Sequence, residues 1–502
     1  MNRLFSKPLD EILADYWHRL DDAYRRAFFV IVGINILAFG FEMTNLTIHH
    51  DDLIHMFAHP ELLGYYLGRF SVGWLHQFTQ NAYIMPFLQL FEGICVMTLY
   101  GLLVSHYWGL RRTMEIVLVS AIVSIFPYIG QIYQYNTNMA IYPIAHLLSA
   151  LAVIFSTRAT IKHIILSAFL FMLSFSIYQS VLANAAVIFG FWVLANLLFQ
   201  QEGKTFFSLR MAKSAASVLV SVTAGGLIYM LIISFMDIPF DSVHGANQAF
   251  TFTDGIDLSS AVLQIIEGTR SFFFWPENYF PNYLKKIQLL LGVGAAIFCL
   301  WLPNNWRDRF TAVLLFSICL FAPRVLQLLH QEGNYHELSL TAYSVVIAGF
   351  VMIILRAEQV VVKNLSFVLT MVLIFGYALQ CNWISTVNYL NTQAHYSTMT
   401  QILSKIKSLN VENWRETKVV VVGSYKMPSD YPFKRATGVS TMFIDAIHMR
   451  RFARLLREDI EFMPAEEINQ QALDYAAKHA PWPSPSSVGM VDSMGVLVLS
   501  HQ

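Results

Sequence analysis

The chain has 502 residues, of which 56% are hydrophobic and 13% are charged, whereas an average soluble domain is about 25% charged. A soluble globule could not bury that much apolar surface, so the composition excludes a soluble enzyme, a disordered scaffold and a secreted disulfide module. Lys plus Arg and Asp plus Glu both number 33, and the zero net charge offers no bulk attraction to nucleic acid. The four cysteines lie in or beside apolar runs and predict no disulfide framework.

The first 26 residues are polar and include Arg3, Lys7, Arg19, Arg25 and Arg26. Leu9, Ile12, Leu13 and Tyr16 recur at helical spacing after Pro8. This pattern predicts an amphipathic helix that lies on the cytoplasmic membrane surface, over residues 1–26.

Apolar stretches that can cross a bilayer follow one another from residue 27 onwards. We predict about eleven transmembrane helices, at about 27–44, 83–107, 113–131, 139–156, 164–177, 181–199, 215–236, 287–302, 311–329, 338–355 and 365–382.

The orientation follows from the basic residues of the short loops. With the N-terminus inside, the inner side holds sixteen Lys and Arg residues and the outer loops before residue 383 hold four. We therefore predict a multi-pass protein with a cytoplasmic N-terminus, a transmembrane domain at 27–382, and large outer loops at 45–82 and 237–286.

The C-terminal segment, 383–502, is much more charged than the rest. It is predicted to begin as a helix that continues out of the membrane to about Leu409. Strands at Lys418–Ser424 and Gly495–Ser500 and helices at Thr441–Arg457 and Ala465–Lys478 then predict a small outer α/β domain.

The densest polar cluster follows the first span, where Asp51 and Asp52 precede His55 and His59. Carboxylates at the membrane edge are costly unless they are paired, hydrated or functional, so these residues are candidates for a catalytic loop. A hydrated structural loop is the alternative. Metal binding, with His55 and His59 as an i, i+4 ligand pair, is another.

Arginines and aromatic residues supply the other candidates. Arg324 follows Pro323 at the outer end of a span, where a guanidinium usually faces protein, water or an anion. A phosphate clamp suits the geometry of the arginine fork, and contact with lipid headgroups is the alternative. Arg69 lies in the first outer loop. Candidate sugar-binding residues, which membrane-interface anchoring would also explain, are Tyr66, Trp275, Glu277, Asn278 and His336.

The aspartate pair followed by Leu67–Phe70 (LGRF), the many spans, the late Pro-Arg and the outer C-terminal segment together resemble a known family. They are similar to the serotype-converting O-antigen glucosyltransferases of bacteria and their phages, the Gtr type within the GT-C superfamily.

The resemblance implies a GT-C-like enzyme of the bacterial inner membrane, with a periplasmic C-terminal domain. It implies inverting transfer of a hexose, usually glucose, from undecaprenyl phosphate to an O-antigen repeat of lipopolysaccharide. Asp52 or Asp51 would then be the general base, and Arg324, with Arg69, would bind the donor phosphate. A flippase and a carrier-loading glycosyltransferase would be its partners. No cofactor would be required, although a divalent metal stays an alternative.

Two other classes compete with this interpretation. An O-antigen polymerase or ligase would also use polyprenyl-linked sugars, but such an enzyme would have a large outer loop in the middle of the chain as its main extramembrane feature. A lipid-linked sugar transporter would need ionisable residues near mid-membrane and broken helices in matching halves. Only Gly225-Gly226 suggests such a break.

The predicted orientation can be tested with reporter fusions. Alkaline phosphatase fused after Gln502 should be active in a bacterial host, because it folds only in the periplasm, whereas a fusion after Arg158 should be inactive. Activity only at Arg158 would invert the topology.

Overall fold

The computed structural model describes residues 20–57, 64, 67–80, 84–199, 209–236, 258–275, 277, 279–303, 305–328, 337–409, 418–425, 431, 443, 445–464 and 470–501. Most of the predicted amphipathic helix at 1–26 therefore lies outside the described residues, as does much of the predicted outer loop 237–286.

The described chain up to residue 409 is almost entirely helical. Its α-helices are α1 (Asp22–Thr44), α2 (His50–Met56), α3 (Phe70–Gln80), α4 (Pro86–Tyr107), α5 (Thr113–Ser124), α6 (Pro127–Ile132), α7 (Ile141–Ser156), α8 (Ile161–Ile177), α9 (Val181–Phe199), α10 (Leu209–Phe235), α11 (Leu258–Phe274), α12 (Asn282–Trp301), α13 (Trp306–Phe321), α14 (Ala342–Leu355) and α15 (Val360–Lys407). Two 3-10 segments, Ala322–Leu328 and Glu337–Leu340, lie between α13 and α14.

Among the described residues, eight helical segments are long and apolar enough to cross a membrane. Three more predicted spans correspond to the shorter apolar helices α5, α7 and α8. The chain is thus a predominantly helical membrane protein, as the composition predicted. The count of eleven spans stays a prediction.

The predicted span at 113–131 is divided in two. α5 ends at Ser124 and α6 begins at Pro127, its first helical residue. A proline has no N–H and clashes with the preceding helical turn, so it ends one helix and suits the first turn of another. The break leads into a series of turns after α6, at 133–140, which contributes to the site described below.

The most buried part of the bundle is α14, in which every residue is buried. By contrast, α10 and α13 expose apolar side chains such as Leu219, Leu231 and Phe310. A soluble protein would not leave this much apolar surface in water, so these faces fit contact with lipid.

Residues of the predicted inner loops meet at one end of the bundle. Lys363 Nζ is 2.9 Å from Glu115 Oε1, and Tyr24 donates to the carbonyl of Leu110 at 2.7 Å. Arg356 donates to the carbonyl of Trp108. The contacts join the ends of α1, α4, α5, α14 and α15, which the charge asymmetry placed on the cytoplasmic side.

After α15 the described chain forms a four-stranded sheet with helices on both faces. Its elements are β1 (Lys418–Val422), α16 (Ala446–Leu455), β2 (Glu461–Pro464), α17 (Gln470–Lys478), β3 (Val488–Val491) and β4 (Met494–Val498). The strand order is β2-β1-β4-β3, and only the β3–β4 pair is antiparallel.

Alternate residues of β1 pack into different layers, as the period of two in a strand requires. Val419 and Val421 pack with α16 and the end of α15, whereas Val420 and Val422 pack with α17. The first layer also contains Ile48 from the first outer loop. The loop that carries the aspartate pair is therefore fixed to the C-terminal segment.

The short strands β2 and β3 were not predicted from the sequence. The helix predicted from Thr441 begins at Ala446, because Asp445 accepts the N–H of His448 as its N-cap. The 465–469 part of the next predicted helix lies outside the described residues. Helix α15 runs unbroken through residue 383, and the predicted domain boundary there stays a prediction.

Candidate active site

The aspartate pair lies in α2, a short helix after the first span. His49 is its N-cap and Asp52 its third residue, and they form a reciprocal cap. The Asp51 N–H donates to His49 Nδ1 at 3.3 Å, and the His49 N–H donates to Asp52 Oδ2 at 2.9 Å. The cap fixes the start of the helix and so the directions of both aspartates.

Asp52 is completely buried, and N–H donors from the turns after α6 contact it. Asn136 Nδ2 donates to Asp52 Oδ2 at 2.8 Å, and the Thr137 N–H approaches Oδ1 at 3.4 Å. Burial raises the pKa of Asp52 to about 6, although these donors oppose the rise. Asp52 therefore anchors the loop and is shielded from solvent.

Asp51, one residue earlier, keeps 40% of its side chain exposed. Its Oδ1 atom is 3.1 Å from His50 Nε2. Burial is the largest influence and raises the pKa of Asp51, but the hydrogen bond from His50 and the electrostatic effect of His49, His50 and His55 together outweigh it and hold the pKa below the usual range. Asp51 is thus the ionised carboxylate of the pair that a substrate could reach.

Arg69 lies between the ends of α7, α8 and α9. Its Cζ atom lies 5.6 Å from the ring centroid of Tyr142 and 5.2 Å from that of Tyr178. Arg69 Nη1 donates to the Tyr142 hydroxyl, and Nε approaches Gln179 Oε1 at 3.4 Å. The Tyr142 phenol is also within electrostatic range of Asp51, which is consistent with one shared site.

A buried polar chain lies beneath Arg69. His146 Nδ1 is 2.9 Å from the carbonyl of Tyr142, which can only accept, so His146 donates there. Its Nε2 atom then accepts from Thr341, 3.0 Å away. Asn184 donates to Thr341 at 3.1 Å and accepts from Tyr100 at 3.2 Å. Hydrogen bonds thus fix the orientation of these side chains inside the bundle.

Arg324 lies in a second cluster, beside Tyr343. Its Nε atom donates to the Tyr343 hydroxyl at 3.1 Å, and that hydroxyl approaches Thr269 Oγ1 at 3.3 Å. A Cβ atom added at Gly268 would lie 2.4 Å from Arg324 Cζ, so the guanidinium packs directly on the α11 backbone. Tyr343 is two residues after Thr341, which places the Arg324 cluster next to the buried chain.

Two of the predicted sugar-binding residues, Trp275 and Glu277, make contacts within the protein. Glu277 Oε2 is 3.2 Å from Lys285 Nζ, and Tyr128 donates to Oε1 of the same carboxylate. Lys285 also donates to the carbonyl of Trp275, whose own side chain is exposed. Glu277 therefore joins α6 to α12, and Trp275 is the residue of the pair with a free surface.

Several predicted site residues lie outside the described residues: His59, Tyr66, Asn278 and His336. Sequence reasoning missed the partners that orient the aspartates and Arg69, namely Asn136, Thr137, Tyr142 and Gln179. The polar run Asn136-Thr137-Asn138, in a region that is otherwise apolar, was the available signal.

Potential metal ligands are concentrated at the start of α2. Within the part of the chain that the structure describes, His49, His50 and Asp51 bring one ligand atom each within 4.8 Å of one another. His55 lies further along the helix, outside this group. The arrangement differs from the predicted His55–His59 pair, whose second member is not described.

Comparison with known proteins supplies a family. A model of the family described as glucosyl transferase GtrII matches residues 40–354, which include the aspartate pair, Arg69 and Arg324. No curated protein matches the chain.

A solved structure of the Archaeoglobus fulgidus oligosaccharyltransferase in the apo form is also similar, with 9% sequence identity and a TM-score of 0.36. The match covers 79% of this chain and 62% of the oligosaccharyltransferase chain. This similarity is too low to establish the fold, and the GT-C-like architecture stays a prediction.

The anchoring role of Asp52 predicts a stability difference between the two aspartates. Asp52→Asn should lower the free energy of unfolding by about 1–3 kcal/mol, because its amide NH2 would face one of three N–H donors. Asp51→Asn should lower it by less than Asp52→Asn does, since that side chain reaches the surface and its amide oxygen can still accept a hydrogen bond from His50. Unfolding in detergent with EDTA present measures both. Equal stability of both variants would remove the anchoring role.

Proposed function

Because the chain belongs to the glucosyl transferase GtrII family, we propose that it transfers a hexose, most simply glucose, from undecaprenyl phosphate to an O-antigen repeat unit. The reaction takes place at the periplasmic face of the bacterial inner membrane. The observation that carries this proposal is the partly exposed carboxylate of Asp51, fixed at the start of a capped helix. The guanidinium of Arg69 is held by Tyr142, which lies within electrostatic range of that carboxylate.

Asp51 is the general base in this proposal. Its carboxylate accepts the proton of the acceptor hydroxyl, and the hydroxyl oxygen forms a bond to the anomeric carbon. The bond from that carbon to the phosphate oxygen breaks, and its electron pair leaves with the lipid phosphate. Attack from the face opposite the phosphate inverts the anomeric centre. Asp52 positions this base and does not contact substrate, because it is fully buried.

Arg69 is the favoured phosphate-binding residue. Two tyrosine rings confine its guanidinium, which leaves the fork oriented rather than freely rotating. A planar guanidinium can donate two parallel hydrogen bonds to phosphate oxygens as negative charge develops there.

Arg324 is the second candidate for phosphate binding. Its guanidinium is held by Tyr343 and packed on Gly268, so it too is oriented. Among the described residues, however, the electrostatic contact that reaches Asp51 through a shared tyrosine belongs to Arg69. A role for Arg324 in binding the sugar or the lipid phosphate stays part of the proposal.

The proposed donor requires two other activities. Undecaprenyl phosphate is charged with its hexose on the cytoplasmic side, and the product must cross the membrane before this enzyme can use it. A carrier-loading glycosyltransferase and a flippase are therefore the proposed partners.

Asp51→Asn should reduce transfer by about 10²–10⁴-fold, because a positioned general base contributes that much. Purified protein is assayed with undecaprenyl-phosphate-linked glucose and an O-antigen acceptor. Asp459→Asn, at an exposed position in the C-terminal segment, is the matched control and should keep activity. Normal transfer by Asp51→Asn, together with an inactive but stable Asp52→Asn, would move the base to Asp52.

Arg69→Lys should lower transfer about 10- to 100-fold, because a charge-assisted hydrogen bond of about 1.5–3 kcal/mol is lost while the charge remains. Arg324→Lys is measured beside it, and the exposed Arg270→Lys is the control. A large loss in Arg324→Lys with normal transfer by Arg69→Lys would place the phosphate in the Arg324 cluster.

A further inference from the structure

We propose that His49, His50 and Asp51 of the first outer loop and His448 of α16 together bind one zinc ion. The site would join two parts of the chain that are almost 400 residues apart in sequence. It does not depend on the sugar-transfer reaction.

The first three ligands are already close together. Asp51 Oδ1 is 3.1 Å from His50 Nε2, and Asp51 Oδ2 is 3.9 Å from His49 Nδ1. Zinc bonds of about 2.1 Å in a tetrahedron place neighbouring ligand atoms about 3.4 Å apart. The two observed distances involve different Asp51 oxygens, and one ligand atom from each of the three residues lies within 4.8 Å of the others. Side-chain rotations would therefore have to bring these atoms closer to about 3.4 Å.

His448 supplies an independent observation. Only 7% of this residue is exposed, and its Nε2 atom has no hydrogen-bond partner among the described residues. Its ring centroid is 5.9 Å from that of His50. A buried ring nitrogen without a partner is costly, and a ligand between the two imidazoles would remove that cost.

The tautomer of His448 suits metal binding. Its Nδ1 atom is 2.9 Å from Asp445 Oδ1, so Nδ1 donates and Nε2 keeps its lone pair. A carboxylate behind a ligating imidazole is the usual arrangement at zinc sites, where it fixes the ring and raises its basicity.

At the other three ligands, the ion would replace hydrogen bonds. The proton between His50 Nε2 and Asp51 Oδ1 would be released, and the long contact between the Asp51 N–H and His49 Nδ1 would be lost. One oxygen of Asp51 is sufficient for coordination. The other remains available to accept a proton.

The ligand types favour zinc over hard cations. Three imidazole nitrogens and one carboxylate oxygen suit a tetrahedral transition metal, whereas magnesium and calcium prefer oxygen ligands alone. The ion would hold α16 against α2, and through α2 it would hold Asp51 in place.

The test is metal content, measured without any sugar donor. Protein purified through a tag that lacks histidine is stripped with chelator, incubated with Zn²⁺ and desalted, and its zinc is measured by mass spectrometry. We expect one zinc per chain. His448→Ala and His50→Ala should abolish stoichiometric binding, and Asp445→Asn should weaken it about 10- to 100-fold, as loss of an orienting partner does.

Two controls separate this site from other histidines. His479→Ala, in the C-terminal segment, and His55→Ala should both retain one zinc per chain. Loss of zinc in His55→Ala with retention in His448→Ala would move the site to the His55–His59 pair and overturn the proposal. Absence of zinc from the reconstituted wild-type protein would also overturn it. Because no transfer is measured, failure here leaves the proposed glycosyltransferase reaction unaffected.

Discussion

The buried carboxylate of Asp52 is the group that joins the aspartate loop to the turns after α6. A carboxylate removed from water must be hydrogen-bonded, and the donors come from two places in the sequence: His49, and the consecutive residues Asn136 and Thr137. These bonds fix the first outer helix to the turns that follow Pro127. The packing of Ile48 beneath the C-terminal sheet then adds the third part of the chain to the same assembly.

The geometry of a helix separates the functions of the two aspartates. Successive residues of an α-helix are rotated by about 100°, so the side chains of Asp51 and Asp52 point in different directions. Asp51 consequently faces His50 and solvent while Asp52 is fixed in the interior. One buried carboxylate thus helps to determine the direction of the other, and the proposed base keeps part of its side chain exposed.

The helical membrane class and the location of the Asp/His loop could be predicted from the sequence, because apolar run length and clustered ionisable residues are local signals. The division at Pro127 was also local, but it was missed because both sides of the break are apolar. The partnership of Asp52 with Asn136, and of His50 with His448, could not be predicted. Helical periodicity says which face is apolar, not which distant residue packs against it.

The 48-residue helix α15 determines how far the C-terminal sheet lies along the helix axis and how the sheet is rotated about that axis. At about 1.5 Å per residue it is about 72 Å long, more than twice the roughly 30 Å hydrocarbon core of a bilayer. Removal of one residue from its outer half would turn the C-terminal sheet by about 100° around the helix axis and swing α16 away from α2. Removal of seven residues would restore the direction but lower the sheet by about 10 Å. The length of this helix is therefore constrained twice, because it sets both the rotation of the C-terminal sheet about the helix axis and the distance of the sheet from the transmembrane part of the helix.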